Sequence, residues 1–140
     1  MAVDIVARKP TAAEYEAVVA SVGFRSHDDA AVEVALANTP YCVCAVDGHE
    51  VIGLGRIIGD GAISFLLTNV MVRPSHQRRG IGSRIVQALC DAVEAIPYRN
   101  VVVEVVLLPG LQSFYERLGF RASRTATPGM VRWVHVASRQ

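Results

Sequence analysis

An excess of either charge is what this 140-residue sequence most plainly lacks: 14 lysines and arginines stand against 13 aspartates and glutamates, for a formal net charge of +1. A chain this close to neutral has no broad field with which to hold nucleic acid or an anionic membrane, so both partner classes are set aside. Cysteine is scarce as well. Cys42, Cys44 and Cys90 form an odd set with poor disulfide spacing, and no second Cys/His pair lies at zinc-finger distance. Free buried thiols, no metal site and a reducing compartment are expected. No window reaches the ~18 apolar residues of a membrane span. The opening MAVDIVARKP has neither a long apolar core nor a cleavage signal, so a soluble cytoplasmic protein is expected. Repeats, low-complexity tracts and linkers are missing too, and residues 1–140 read as one domain.

What is present is apolar material in two periodicities. Hydrophobic residues make up 51% of the chain and charged residues 19%, enough for a packed core. The stretch 3–7 (VDIVA) predicts a short strand. Thr11 followed by Glu14 has capping-box spacing, with Tyr15, Val18, Val19 and Val22 on one helical face and Gly23 at its end. A second helix follows, capped by Ser26 or Asp28 and stopped by Pro40. Residues 41–60 read as a hairpin turning at Asp47-Gly48, and Gly59-Asp60-Gly61 as a second turn. The run 62–72 (AISFLLTNVMV) predicts a central strand covered on both faces.

Ile81, Ile85, Leu89 and Val93 then recur every four residues, an amphipathic helix closed by Pro97. The run 101–108 (VVVEVVLL) predicts another buried strand, broken at Pro109-Gly110. A short helix follows at 111–118 with Gly119 at its C-cap, and 120–125 with 130–137 suggest a closing antiparallel pair containing Trp133. The order is mixed α/β with one strand–helix–strand crossover.

Between the central strand and the amphipathic helix lies HQRRGIGSR, at 76–84. A helix start leaves backbone N–H groups unpaired at the positive end of its dipole. Gly80 and Gly82 bare the backbone, and Arg78, Arg79 and Arg84 add charge. The combination predicts a pocket for a phosphate or diphosphate. It is not a P-loop, which ends in Gly-Lys-Ser/Thr, and Ile85 occupies the third glycine of a dinucleotide fingerprint.

VRPSHQRRGIG (72–82) resembles the acetyl-CoA signature of the GNAT superfamily of N-acetyltransferases, Gln/Arg-x-x-Gly-x-Gly/Ala, here Gln77 to Gly82. NVMVRP (69–74) resembles that family's fourth strand, and FYERLGF (114–120) its tyrosine-bearing helix. The resemblance covers nearly the whole chain. It implies an α+β fold: a splayed central sheet of about six to seven strands flanked by about four helices. It further implies that the backbone of Gln77, Arg78, Arg79, Gly80, Ile81, Gly82 and Ser83 wraps the CoA diphosphate, and that Met71 and Val72 pair with the pantetheine arm. The cofactor would lie in a gap between that strand and the one at 101–106. A homodimer through the C-terminal strands is what the resemblance implies for assembly.

Acetyl transfer to an amine needs a neutral amine, a stabilised oxyanion and a proton for the departing thiolate. Tyr115 matches the family's proton donor; otherwise it is a core aromatic beside Phe114 and Leu118. The oxyanion donor is expected to be a backbone N–H near Met71 or Val72. Asn69 stands where related small-amine enzymes often carry an acid, which leaves Glu104 as candidate base if burial raises its pKa, or as a surface carboxylate if not. Phe24 and Arg25, between the first two helices, are candidate acceptor contacts. Pro109-Gly110 replaces a region where many relatives have a cofactor-contacting Asn. His76 is assigned to the surface or the phosphate side. No cysteine is placed to carry an acyl group, so direct attack in a ternary complex is expected. The expected acceptor is a small primary amine; the alternatives are a protein or peptide amine, or a non-catalytic acyl-CoA sensor.

Overall fold

The computed structural model describes residues 2–122. The elements run β1 (Asp4–Val6), α1 (Ala12–Ser21), α2 (Asp29–Ala37), β2 (Tyr41–Asp47), β3 (Glu50–Gly59) and β4 (Ser64–Val72). A 3-10 turn (Pro74–His76), α3 (Ile81–Glu94), β5 (Val102–Val105) and α4 (Gln112–Glu116) complete them. The strands form one sheet in chain order, antiparallel from β1 to β4, with β5 added parallel to β4 through the α3 crossover. Five strands and four α-helices are described, which bears out the expected α+β class. The expected closing pair lies almost entirely outside the described residues, as does Trp133.

Local rules place α1. The Thr11 side chain accepts from the Glu14 amide at 3.1 Å, and Glu14 accepts from the Thr11 amide at 2.9 Å, so the expected capping box is formed. Arg8 adds a two-pronged pair to the Glu14 carboxylate at 3.1 and 3.2 Å. That hydrogen bond, then the bond from Thr11, holds the Glu14 pKa below its ordinary value. A depressed carboxylate stabilises the fold above its unfolded pKa of ~4.3 and loses that contribution as pH falls through the folded value. Thr11→Ala is expected to cost about 1 kcal/mol in urea unfolding at pH 7. α1 ends in a Schellman pair, Phe24 N–H to Val19 O and Gly23 N–H to Ala20 O, with Gly23 left-handed at φ +75°.

The sheet is covered on both faces. Ile52, Ile57, Phe65 and Leu67 pack under Ile81, Ile85, Val86 and Leu89 of α3. Cys44, Val51, Leu54 and Met71 pack under Tyr15, Val18 and Val19 of α1 and Val32 and Leu36 of α2. Gly55 sets how close α3 comes: a Cβ there would lie 2.6 Å from Ile85 Cγ2 and 3.0 Å from Leu89 Cδ1. Gly55→Val is therefore expected to destabilise by about 1–3 kcal/mol, read as a lower urea midpoint.

Several expectations shift in detail. Asp47 closes β2, and the turn itself is Gly48-His49, with Gly48 left-handed at φ +63°. Asp28, not Ser26, is the N-cap of α2, and its side chain makes no capping bond. The run 101–108 is not a buried strand. Among the described residues Val102–Val105 pair with β4; Val106, Leu107 and Leu108 run past that pairing and are exposed, and Val102 is exposed on the less covered face of β5. Cys42 and Cys44 are buried free thiols as expected, and Cys90 is half-buried. Among the described residues no helix is long and apolar enough to cross a membrane, and no cluster of side chains could hold a metal ion.

Candidate active site

β4 pairs with β3 along its length and with β5 over its first half only. Ser64 to Leu67 pair with Val102 to Val105 of β5; from Thr68 onward its pairing is with β3 alone. Thr68 to Val72 therefore leave an edge on the β5 side among the described residues. A bulge reshapes the strand at that point. Thr68 opposes Arg56 and Met71 opposes Leu54, so Asn69 and Val70 share the single partner position of Gly55. Asn69 takes a left-handed φ of 54°, a conformation asparagine tolerates better than most residues. Its Oδ1 accepts from Arg56 Nε at 2.8 Å.

The chain then passes into the basic loop, which is tied down at several points. The Arg73 amide donates to Ile52 O at 2.7 Å, and Arg73 Nη1 lies 2.6 Å from Glu50 Oε1. His76 Nε2 lies 2.8 Å from Asp47 Oδ2, and Gln77 Nε2 donates to Val72 O at 2.9 Å. Thus His76 and Gln77 use their side chains to brace the loop against the β2–β3 turn and the end of β4. Arg78 (φ +64°) and Gly80 (φ +74°) are left-handed on either side of Arg79. Such alternation turns consecutive amides toward a shared concavity.

Gly80 is the N-cap of α3, and no side chain caps this helix. The first intrahelical amide bond is Arg84 N–H to Gly80 O at 3.2 Å, so the amides of Gly80, Ile81, Gly82 and Ser83 have no partner within the helix. Ile81 anchors the turn with its buried side chain, while Arg78 and Arg79 are exposed beside it. Arg84 departs from expectation: its guanidinium donates to Val3 O at 2.9 Å, docking α3 onto the start of the chain.

Gly82 lies beside α4: a Cβ there would stand 3.6 Å from Phe114 Cζ, an ordinary contact, so α4 comes close to the first turn of α3. That contact joins the two sequence motifs in space. Tyr115 follows Phe114 and is 7% exposed, edge-on to Phe114 at 4.9 Å and to Phe120 at 5.5 Å. A Schellman pair, Phe120 N–H to Tyr115 O and Gly119 N–H to Glu116 O, closes α4 and brings Phe120 back over the ring. Burial pushes the Tyr115 phenol above its ordinary value.

The remaining candidates stand apart. Glu104 is exposed on β5, opposite Leu66, so the burial expected to raise its pKa is not found; Val102 and Glu104 share the less covered face of the outermost described strand. Phe24 and Arg25 are exposed in the α1–α2 connection. Two features escaped the sequence reading: the left-handed bulge at Asn69 and the Arg56 side chain that holds it. A polar residue in an otherwise apolar strand, across from a glycine, was their only signal.

An unpaired stretch of β4 edge beside an uncapped helix start, reached by a single parallel crossover, is the arrangement that the resemblance of residues 72–82 implied. Residues 37–122 match the family model described as an acetyltransferase (GNAT) domain, and the chain belongs to the GNAT family. It is 28% identical over 120 residues to GCN5-related N-acetyltransferase 1, chloroplastic, from Arabidopsis thaliana, covering 84% of this chain and 60% of that protein's length. Among solved structures it is similar to a "probable acetyltransferase" of unknown function from meticillin-resistant Staphylococcus aureus. The TM-score is 0.86 at 26% identity, covering 95% of this chain and all of that one. A GNAT family acetyltransferase from Streptococcus pneumoniae aligns with a TM-score of 0.75 at 25% identity over 96% and 98% of the two chains.

Proposed function

We propose that this protein transfers the acetyl group of acetyl-CoA to a primary amine of a small molecule, by direct attack within a ternary complex. The observation that supports it most is the contact of Phe114 with Gly82, which brings the tyrosine-bearing helix to the uncapped start of α3. In this reading the loop from Gln77 to Ser83 receives the diphosphate through the amides that follow Gln77, whose own N–H donates to Pro74 O at 3.4 Å, with the Arg78 and Arg79 side chains beside it. The unpaired β4 edge through Met71 and Val72 receives the pantetheine arm as an added strand. Acetyl-CoA supplies the thioester carbon that the amine attacks.

Tyr115 gives its hydroxyl proton to the sulfur as the carbon–sulfur bond breaks. A neutral phenol is the form required, and burial favours it. The amine loses its proton to water, since the exposed Glu104 has no special claim as base. Burial raises the Cys42 and Cys44 pKa values to about 11 and about 12, so neither offers a thiolate to carry the acetyl group. Free thiols accord with a reducing compartment, and the cytoplasm is the location proposed.

Calorimetry with coenzyme A, followed by thiol release from acetyl-CoA over a panel of amines and peptides, tests the reading. CoA binding with release on small amines is the expected result. Binding without release on any acceptor makes the protein a sensor, and release on peptides alone moves the acceptor to proteins.

A further inference from the structure

Arg56 is half-buried on the face of the sheet covered by α1 and α2, opposite Thr68 and so one position from the β4 bulge. Its hydrogen-bond partners, Asn69, Thr39 and the Tyr15 phenol, are neutral. Nε donates to Asn69 Oδ1 at 2.8 Å, and Nη1 donates to Thr39 Oγ1 at 3.2 Å. Two titratable groups beside it, Tyr15 and Cys42, are held in their neutral forms. Burial raises the Tyr15 phenol, with Arg56 pulling against it, and burial pushes the Cys42 thiol up to about 11. The acid that acts on Tyr15 is Glu16, and its carboxylate lies 2.9 Å from His27 Nδ1. Among the described residues the ion pairs are Arg8–Glu14, His27–Glu16, Arg73–Glu50 and His76–Asp47; none includes Arg56.

A cation partly withdrawn from water without a counter-charge costs free energy. Here it is also oriented, by bonds from Nε to Asn69 and from Nη1 to Thr39, with the Tyr15 phenol against it. Arginine has five donors, so these partners leave others on the guanidinium to use. The end-on pair of Nη1 and Nη2 hydrogens matches a carboxylate or phosphate. The α1–α2 connection, which carries Phe24 and Arg25, lies on the same face, where the Tyr15 and His27 rings are 6.1 Å apart.

We infer that the acceptor amine carries an anionic group, a carboxylate or a phosphate, and that Arg56 pairs with that group beside the bulge at Asn69. The inference rests on the acetyl-transfer reading and deepens it. Asn69 is then a specificity device: being neutral, it orients the guanidinium without cancelling its charge.

Two matched pairs test this: L-phenylalanine against phenethylamine, and glucosamine 6-phosphate against glucosamine. The wild-type kcat/KM should favour the anionic member of one pair, and that pair identifies carboxylate or phosphate. Arg56→Met should lower the anionic-to-neutral ratio at least about tenfold, the worth of a charge-assisted hydrogen bond. Asn69→Asp should do the same while keeping Arg56 in place, which separates lost charge from lost packing. Preference for the neutral member of both pairs, or an unaltered ratio in Asn69→Asp, overturns the inference.

Calorimetry with coenzyme A on the same preparations keeps the two readings distinct. Lost CoA binding in the wild type defeats the transferase reading. Retained CoA binding without anionic preference defeats only this one. If none of the four amines is acetylated, their binding to the CoA-loaded protein is measured. Tighter binding of an anionic member, weakened in Asn69→Asp, supports the role of Arg56; no binding of either anionic member overturns it.

Discussion

Replacing Tyr115 by phenylalanine should lower kcat by about 10²- to 10⁴-fold, the usual worth of a positioned general acid, while acetyl-CoA affinity stays close to wild type. The ring is the structural part of this side chain. It is 7% exposed and sits edge-on between Phe114 and Phe120, and phenylalanine keeps that packing. Only the hydroxyl is lost, so a drop in turnover reports chemistry rather than misfolding. The pH profile adds a second readout. An acid must be protonated to act, and burial lifts this phenol above its ordinary value. The wild-type rate should therefore show no fall from loss of the acid until pH exceeds ~10. Unchanged turnover in Tyr115→Phe, measured by thiol release, would leave the residue a core aromatic.

The motif at 77–82 and the short helix expected at 111–118, formed over Gln112–Glu116, were legible because each is local: glycines, charges and apolar spacing sit side by side in the chain. The same holds for the Thr11 capping box and the Gly23 and Gly119 terminators, which all formed as read. What sequence could not supply was burial set by distant partners. Glu104 lies in a run of valines that reads as interior, yet exposure alternates along β5, and Glu104 falls with Val102 on the exposed side although it pairs with Leu66. Arg84 looked like part of the anion pocket from its neighbours in the chain. Its guanidinium instead reaches Val3 O, 81 residues away. The bulge at Asn69 is the same kind of miss, since it exists only in the register between two strands.

Gly80 and Gly82 look equivalent in the sequence and are not equivalent in the fold, and this sets up the last expected result. Gly80 has φ +74°, with nothing within 4 Å of where a Cβ would stand. Space is ample there; the backbone conformation is the constraint. A β-branched residue held left-handed costs about 1–3 kcal/mol. In Gly80→Val the loop is expected to escape that strain by rotating the peptide, and the amides of Gly80 to Ser83 then no longer converge. Coenzyme A affinity should fall about 10- to 100-fold by calorimetry, since each 1.4 kcal/mol is tenfold. Gly80→Asn should lose less, because asparagine visits the left-handed region more readily. Gly82→Ala should stay near wild type, because its Cβ meets Phe114 at an ordinary 3.6 Å. Gly82→Leu should instead displace Phe114 and so lower kcat through its neighbour Tyr115. Affinities ranked Gly80 wild type, then Asn, then Val, with Gly82→Ala close to wild type, mark the helix start as the diphosphate site. Equal CoA affinity in Gly80→Val and wild type would move that site elsewhere.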